Sequence, residues 1–183
     1  SIPVFAWWAT SSKIIGLPTR RRDAESWMIA GMASAFPAVI VNSFIFPVIL
    51  PSGISESTAM DLGAVISAPI GEEIFKFLAV CLFLHSIRNA RKGFQVGFTV
   101  GLGFALIENL IYILQSTIFG AVGLTLTTLV RGIGSIPLHG LLTGISGFGI
   151  GYFSQSTDAD KRMKWWINRF SIKSVDFAEN LGF

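Results

Sequence analysis

The chain has 183 residues, of which 51% are hydrophobic and only 14% charged, whereas an ordinary soluble domain carries about a quarter charged residues. With a mean hydropathy of +0.62, this excludes a water-soluble globular domain and implies an all-α, polytopic transmembrane helix bundle. The net charge of +3 does not point to nucleic acid, because the basic residues fall in loops between apolar runs, where the positive-inside bias accounts for them; the single cysteine, Cys81, excludes an intrachain disulfide framework.

The chain opens at Ser1, and Ile2 to Trp8 is too short to span, so it reads as the tail of a processed or truncated helix. Four apolar runs then reach the roughly 20 residues that a helix needs to cross about 30 Å of hydrocarbon. The first is expected from about Trp27 to Leu50, kinked at Pro37 and Pro47; the second from about Leu62 to Ile87; the third from about Gly93 to Gln115. The run from Val122 to Phe153 is too long for one crossing at about 1.5 Å per residue, and Gly132, Gly134 and Pro137 interrupt it. It reads as an outer-surface or partly inserted segment to about Gly134, followed by a span from about Ser135 to Phe153. The pairs Gly97 with Gly101, Gly140 with Gly144 and Gly147 with Gly151 let the third and fourth spans approach closely. From Ser154 onward, charges mixed with Trp165, Trp166 and Ile167 suit an interfacial helix. The whole chain, 1–183, reads as one integral-membrane domain with a cytoplasmic tail from about 154 to 183.

The loops set an orientation. Arg20, Arg21 and Arg22 precede the first span, Arg88, Arg91 and Lys92 join the second to the third, and Lys161, Arg162, Lys164 and Arg169 follow the fourth, so these loops are expected in the cytoplasm. The loops Pro51 to Asp61 and Ser116 to Ala121 hold no Lys or Arg and face outward. Counting from cytoplasmic ends at about Ile87, Gly93 and Ser154, the rare polar residues Glu72, Glu108 and His139 each lie 15 residues up their helices, about 22 Å at helical rise. One shared buried site in the outer half of the membrane is the expectation.

Acids near a bilayer centre cost several kcal/mol unless paired, protonated or facing a polar cavity. Glu72 and Glu73, with Lys76 one turn on, therefore need a reason. Carboxylates and an imidazole shielded from water can hold a divalent metal or activate a water for hydrolysis. Two other readings stay open at this point: a satisfied ion-pair network in a non-catalytic scaffold, and a proton or ion pathway using the same Glu and His groups. His85 lies near the cytoplasmic end and Cys81 reads as a packing residue; neither is a candidate ligand.

Three motifs, Glu-Glu-Ile-Phe-Lys at 72–76, Phe-Ala-Leu-Ile-Glu-Asn at 104–109 with Tyr112 after it, and Pro-Leu-His at 137–139 followed by Thr143 and Gly144, resemble the PrsW family of intramembrane proteases, which reads EExxK, FxxxEN and a late PxH in successive helices. The family belongs to a wider group with the type II CAAX prenyl proteases and bacteriocin-immunity-related membrane proteins, and the gamma-secretase scaffold subunit is a remote relative. The resemblance covers about Leu62 to Phe153, the implied catalytic core. It implies a peptidase, in a prokaryotic plasma membrane, acting on a single-span membrane protein such as an anti-sigma factor, with membrane lipid as surroundings. Glu72 would be the water-activating base, and Glu73, Glu108 and His139 the ligands of a metal, zinc by resemblance, or the groups that position the water directly. The wider group usually has His where Glu108 stands, which leaves this site poorer in nitrogen. Lys76 would hold one acid ionised, and Asn109 would polarise the scissile carbonyl or bond between helices. Arg131 is expected to snorkel to the outer surface, the alternative being an oxyanion-stabilising role.

Overall fold

A proline inside a helix drives its ring against the carbonyl four residues earlier, and Pro47, Pro69 and Pro137 all sit inside apolar runs. In the computed structural model, which describes residues 2–16 and 19–155, the chain meets each of them with a single π-helical turn: Val41–Ile45, Gly63–Ser67 and Arg131–Ser135. The threatened carbonyls, of Ser43, Val65 and Ile133, lie at the centres of these turns. A widened turn accommodates the ring, so the helix continues where a break was the alternative. Pro37, by contrast, is carried inside a regular helix.

The regular elements of the described residues are all helices, with no strand among them. They form α1 (Ile2–Ile15), α2 (Arg21–Ile40), α3 (Phe46–Ile49), α4 (Glu56–Leu62), α5 (Ala68–Cys81), α6 (Ala90–Ser116), α7 (Gly120–Val130) and α8 (Ile136–Ser154). The widened turns join α2 to α3, α4 to α5 and α7 to α8. Two stretches, Arg21–Ile49 and Ala90–Ser154, are long and apolar enough to cross a membrane, the second being folded on itself because α8 runs back along α6. The interfacial helix expected in the tail, with Trp165 and Trp166, lies outside the described residues.

Boundaries differ from expectation in several places, and the loop expected from Pro51 to Asp61 already holds the start of α4 at Glu56. Helix α2 begins at Arg21, before Trp27, with Asp23 in its first turn, where an acid suits the positive end of the helix dipole. The second run ends as a helix at Cys81, short of Ile87. A 3-10 turn at Leu84–Ser86 folds Phe83 and Ile87 into a buried cluster with Trp27, Val80, Val96 and Val100.

Helix α6 is the central pillar, buried along most of its length. Its glycines are required by contact. A Cβ on Gly97 would meet the carbonyl carbon of Thr143 at 2.9 Å, and one on Gly101 that of His139 at 2.8 Å; this register makes α6 and α8 antiparallel. On the other side, a Cβ on Gly31 would meet the Val100 carbonyl carbon at 2.8 Å, so α2 is equally close. Helix α1 lies antiparallel along α6: Val4 is buried with Leu102 and Ile136, Trp7 Nε1 donates to the Gly132 carbonyl at 3.2 Å, and Ile14 and Ile15 line a shallow pocket together with Arg91 and Phe94.

The core is mostly apolar, as in a soluble protein, but it also takes in polar groups while large apolar residues crowd the surface. Lys76, Gln95, Thr99, Asn109 and Thr143 are buried, while Phe36, Phe44, Val48, Ile70, Ile145 and Phe148 are exposed. Such apolar surface is an aggregation liability in water, and small and polar residues between helices are the packing that a lipid solvent favours.

Candidate functional site

Lys76 organises the site from within. It follows Glu72 and Glu73 by one turn of α5, so all three point to one side of that helix. Its side chain is 0% exposed. The ammonium donates to Glu73 Oε1 at 2.6 Å, is bonded to His139 Nδ1 at 2.8 Å, and lies 3.7 Å from Glu72 Oε2. It also sits 4.4 Å from the centre of the Phe104 ring, which in turn lies 5.4 Å from the His139 ring. A cation over the negative face of an aromatic ring is stabilised without an acceptor. An ammonium has only protons to give, so Nδ1 of His139 accepts and its Nε2 carries the proton. That Nε2 faces Glu108 Oε2 at 2.8 Å.

Helices α6 and α8 pair with Gly101 beside His139, which places the Glu108 backbone about two turns beyond the His139 level at helical rise. The equal-depth count is therefore not met by the backbones. It is met by the side chains, because every Cα–Cβ bond tilts toward its own helix N-terminus: on antiparallel helices, Glu108 leans one way, His139 the other, and they meet between.

Glu108 also accepts from Arg131 Nη2 through its Oε2, and Arg131 Nε donates to Asn109 Oδ1 at 2.6 Å. The guanidinium stacks 3.8 Å from the centre of the Tyr112 ring. Arg131 thus turns into the cluster from its widened turn, contrary to the expectation that it snorkels to the surface; three partners at one place outweigh solvation at the boundary. Asn109 donates to the Ala105 carbonyl at 2.6 Å and is buried, so it braces Arg131 and its own helix.

The structure brings Glu72, Glu108 and His139 together from α5, α6 and α8, with one ligand atom of each within 4.8 Å of the others. Their side chains are 16%, 14% and 12% exposed. Two carboxylate oxygens and an imidazole nitrogen are the donor types that a divalent ion such as zinc takes at about 2.0–2.2 Å; here an ion would have to displace the proton on His139 Nε2 and draw Glu108 away from Arg131. Glu73, expected among the ligands, is outside this group and is paired with Lys76. With the three acids ionised and His139 neutral, the two fixed cations Lys76 and Arg131 leave one negative charge unbalanced.

Sequence reasoning used Phe104 and Tyr112 only as motif letters, and here they carry the two cations. It passed over Asn42, whose Oδ1 accepts from Ser67 at 3.0 Å and lies 3.5 Å from where a Cβ on Gly71, next to Glu72, would be. A lone amide in an otherwise apolar span was the available signal.

The sequence matches the family model described as PrsW family intramembrane metalloprotease over residues 26–172. Among curated proteins, "Protease PrsW" of Geobacillus kaustophilus (strain HTA426) is 28% identical over 140 residues, a match covering 75% of this chain and 55% of the relative. The chain therefore spans about half the length of the curated relative it matches. No solved structure matches it.

Proposed function

Because this chain belongs to the PrsW family of intramembrane metalloproteases, we propose that it hydrolyses a peptide bond of a membrane-anchored protein, with Glu72 as the base that activates water. The observation that carries this reading is the meeting of Glu72, Glu108 and His139, from three helices, at a shielded but not closed place. Glu72 takes a proton from water as the oxygen attacks the carbonyl carbon of the scissile bond. It then gives that proton to the amide nitrogen as the C–N bond breaks. Lys76, 3.7 Å away, sets a positive charge beside the base, and Glu73 holds Lys76 in place. Arg131, fixed by Asn109 and Tyr112, would stabilise charge developing on the carbonyl oxygen. Glu108 and His139 would hold a divalent ion, for which zinc is our choice, and such an ion supplies Lewis acidity toward the water when bound.

The wider reading goes with it. We take the chain as four crossings, made by α2 with α3, α4 with α5, α6, and α8, with the basic loops in the cytoplasm of a prokaryotic cell and the site in the outer half of the membrane. The α4–α5 stretch qualifies because its mid-way Lys76 is buried and pairs with both acids, Glu72 being shielded further by its place in the cluster. A single-span substrate, such as an anti-sigma factor, and the tie to the CAAX protease group rest on resemblance.

The test is cleavage of single-span substrates by purified protein in liposomes, alongside metal analysis. Glu72→Gln should lower turnover by at least about 100-fold, the usual weight of a general base. His139→Ala should lose turnover and metal alike. Full activity in Glu72→Gln would sink the mechanism. One observation favours a second reading: every charged group in the cluster has a partner, as a purely structural network would. A non-catalytic scaffold predicts no cleavage by the wild type and intact folding in Glu72→Gln.

A further inference from the structure

Glu73 is the most open member of the cluster, with its side chain 35% exposed. One of its oxygens, Oε1, is taken by Lys76. The carboxylate also lines a groove of about 530 Å³ between α5 and α8. Besides Glu73, the lining is Pro69, Ile70, Ile74, Phe77 and Leu78 of α5 and Ser146 of α8. No other lining residue is charged, and the Ser146 hydroxyl is turned back to the Leu142 carbonyl at 3.3 Å. Ile70, Ile74, Phe77 and Leu78 are all exposed on the outside of the bundle, so the groove opens onto the surface that lipid would cover. A carboxylate there is costly unless a cation meets it, and Lys76 meets it only from the inner side.

An open apolar groove with one carboxylate among its lining residues suits a long aliphatic stem with a cationic tip, which buries its methylenes and delivers its charge. Resting on the peptidase reading above, we propose that this groove takes the membrane-spanning segment of the substrate, and that Glu73 recognises a Lys or Arg on that segment close to the bond that Glu72 attacks. Glu73 is then a specificity residue: it holds Lys76 with one oxygen and the substrate's cation with the other.

The experiment compares two single-span substrates in liposomes, identical except for Lys or Met at the position facing Glu73, with wild type and Glu73→Gln. The amide of the variant still accepts from Lys76, and taking the ratio of kcat/KM for the two substrates removes any uniform loss. Wild type should favour Lys by about tenfold or more, in keeping with coupling across a desolvated charge pair, and Glu73→Gln should bring the ratio within about twofold. Equal cleavage of both substrates by wild type, or a preference that survives in Glu73→Gln, overturns the recognition while leaving the peptidase reading intact; cleavage of neither overturns both. Crosslinking supplies a measurement that does not depend on Glu73→Gln folding. In a Cys81→Ala background, Ser146→Cys should crosslink to a cysteine beside the substrate's Lys, and Phe36→Cys on the exposed face of α2 should not. Equal crosslinking at the two positions, or capture of a second copy of this chain at Ser146→Cys, overturns the docking.

Discussion

Lys76 is the residue whose loss the fold should feel most. It is fully buried and serves Glu73, His139 and Glu72 at once, and removing one partner from a buried ionic network costs about 3–5 kcal/mol. Lys76→Met should therefore lower stability by about that amount, read from denaturant or thermal unfolding in detergent; an unchanged midpoint would mean the acids are neutralised otherwise. Thr143 is the opposite case. Its hydroxyl is buried with no hydrogen-bond partner among the described residues, and an unmet buried polar group costs about 1–3 kcal/mol. Thr143→Val, nearly the same shape, should raise stability by about 1 kcal/mol in the same assay. The sequence named Glu72, Glu108, His139, Lys76, Asn109 and Arg131 because charges and amides in apolar runs are conspicuous. It put Glu72 at the shared depth but counted Glu73 among the ligands and sent Arg131 to the surface, since both of these depend on side-chain directions that the order of residues does not carry.

At the scale of helices, the glycines of α6 and α8 separate packing from propensity. Gly101 and Gly93 both press on the opposing backbone, where a Cβ would meet a carbonyl carbon at 2.8 Å and 2.9 Å. Overpacking of this kind costs about 1–3 kcal/mol. Gly101→Ala and Gly93→Ala should destabilise alike, but only the former pushes on His139, so peptide cleavage should fall further in Gly101→Ala. Gly149 has nothing near its Cβ position; Gly149→Ala should stabilise by about 0.5–1 kcal/mol through helix preference alone. The small-residue spacing announced the α6–α8 contact from the sequence, because close approach needs glycine at that period. The early end of α5 at Cys81 was hidden, because Phe83 and Ile87 continue the apolar run while leaving the helix to pack on Trp27.

At the scale of the whole molecule, loop charge gives an orientation that labelling can check. With Cys81 replaced by Ala, Ser52→Cys should react with a membrane-impermeant maleimide in intact cells, and Arg91→Cys only after permeabilisation. The reverse pattern would invert the proposed topology. The part played by α1 was not legible, because its run is too short to announce itself, and only Val4 and Trp7 against α6 and Gly132 reveal where it lies. The widened turns at the three prolines matter for how distances along such a chain are counted. Each holds about one residue more than a regular turn, and one residue is about 100° of helix rotation. Glu72 lies nine positions beyond Gly63, yet it has been carried around the axis only about as far as eight regular positions would take it. The same holds for His139 relative to Arg131. The angular register of the two helices that carry the base and the imidazole is thus set upstream, by Pro69 and Pro137, and a helical wheel drawn straight through either proline points the wrong face at α6.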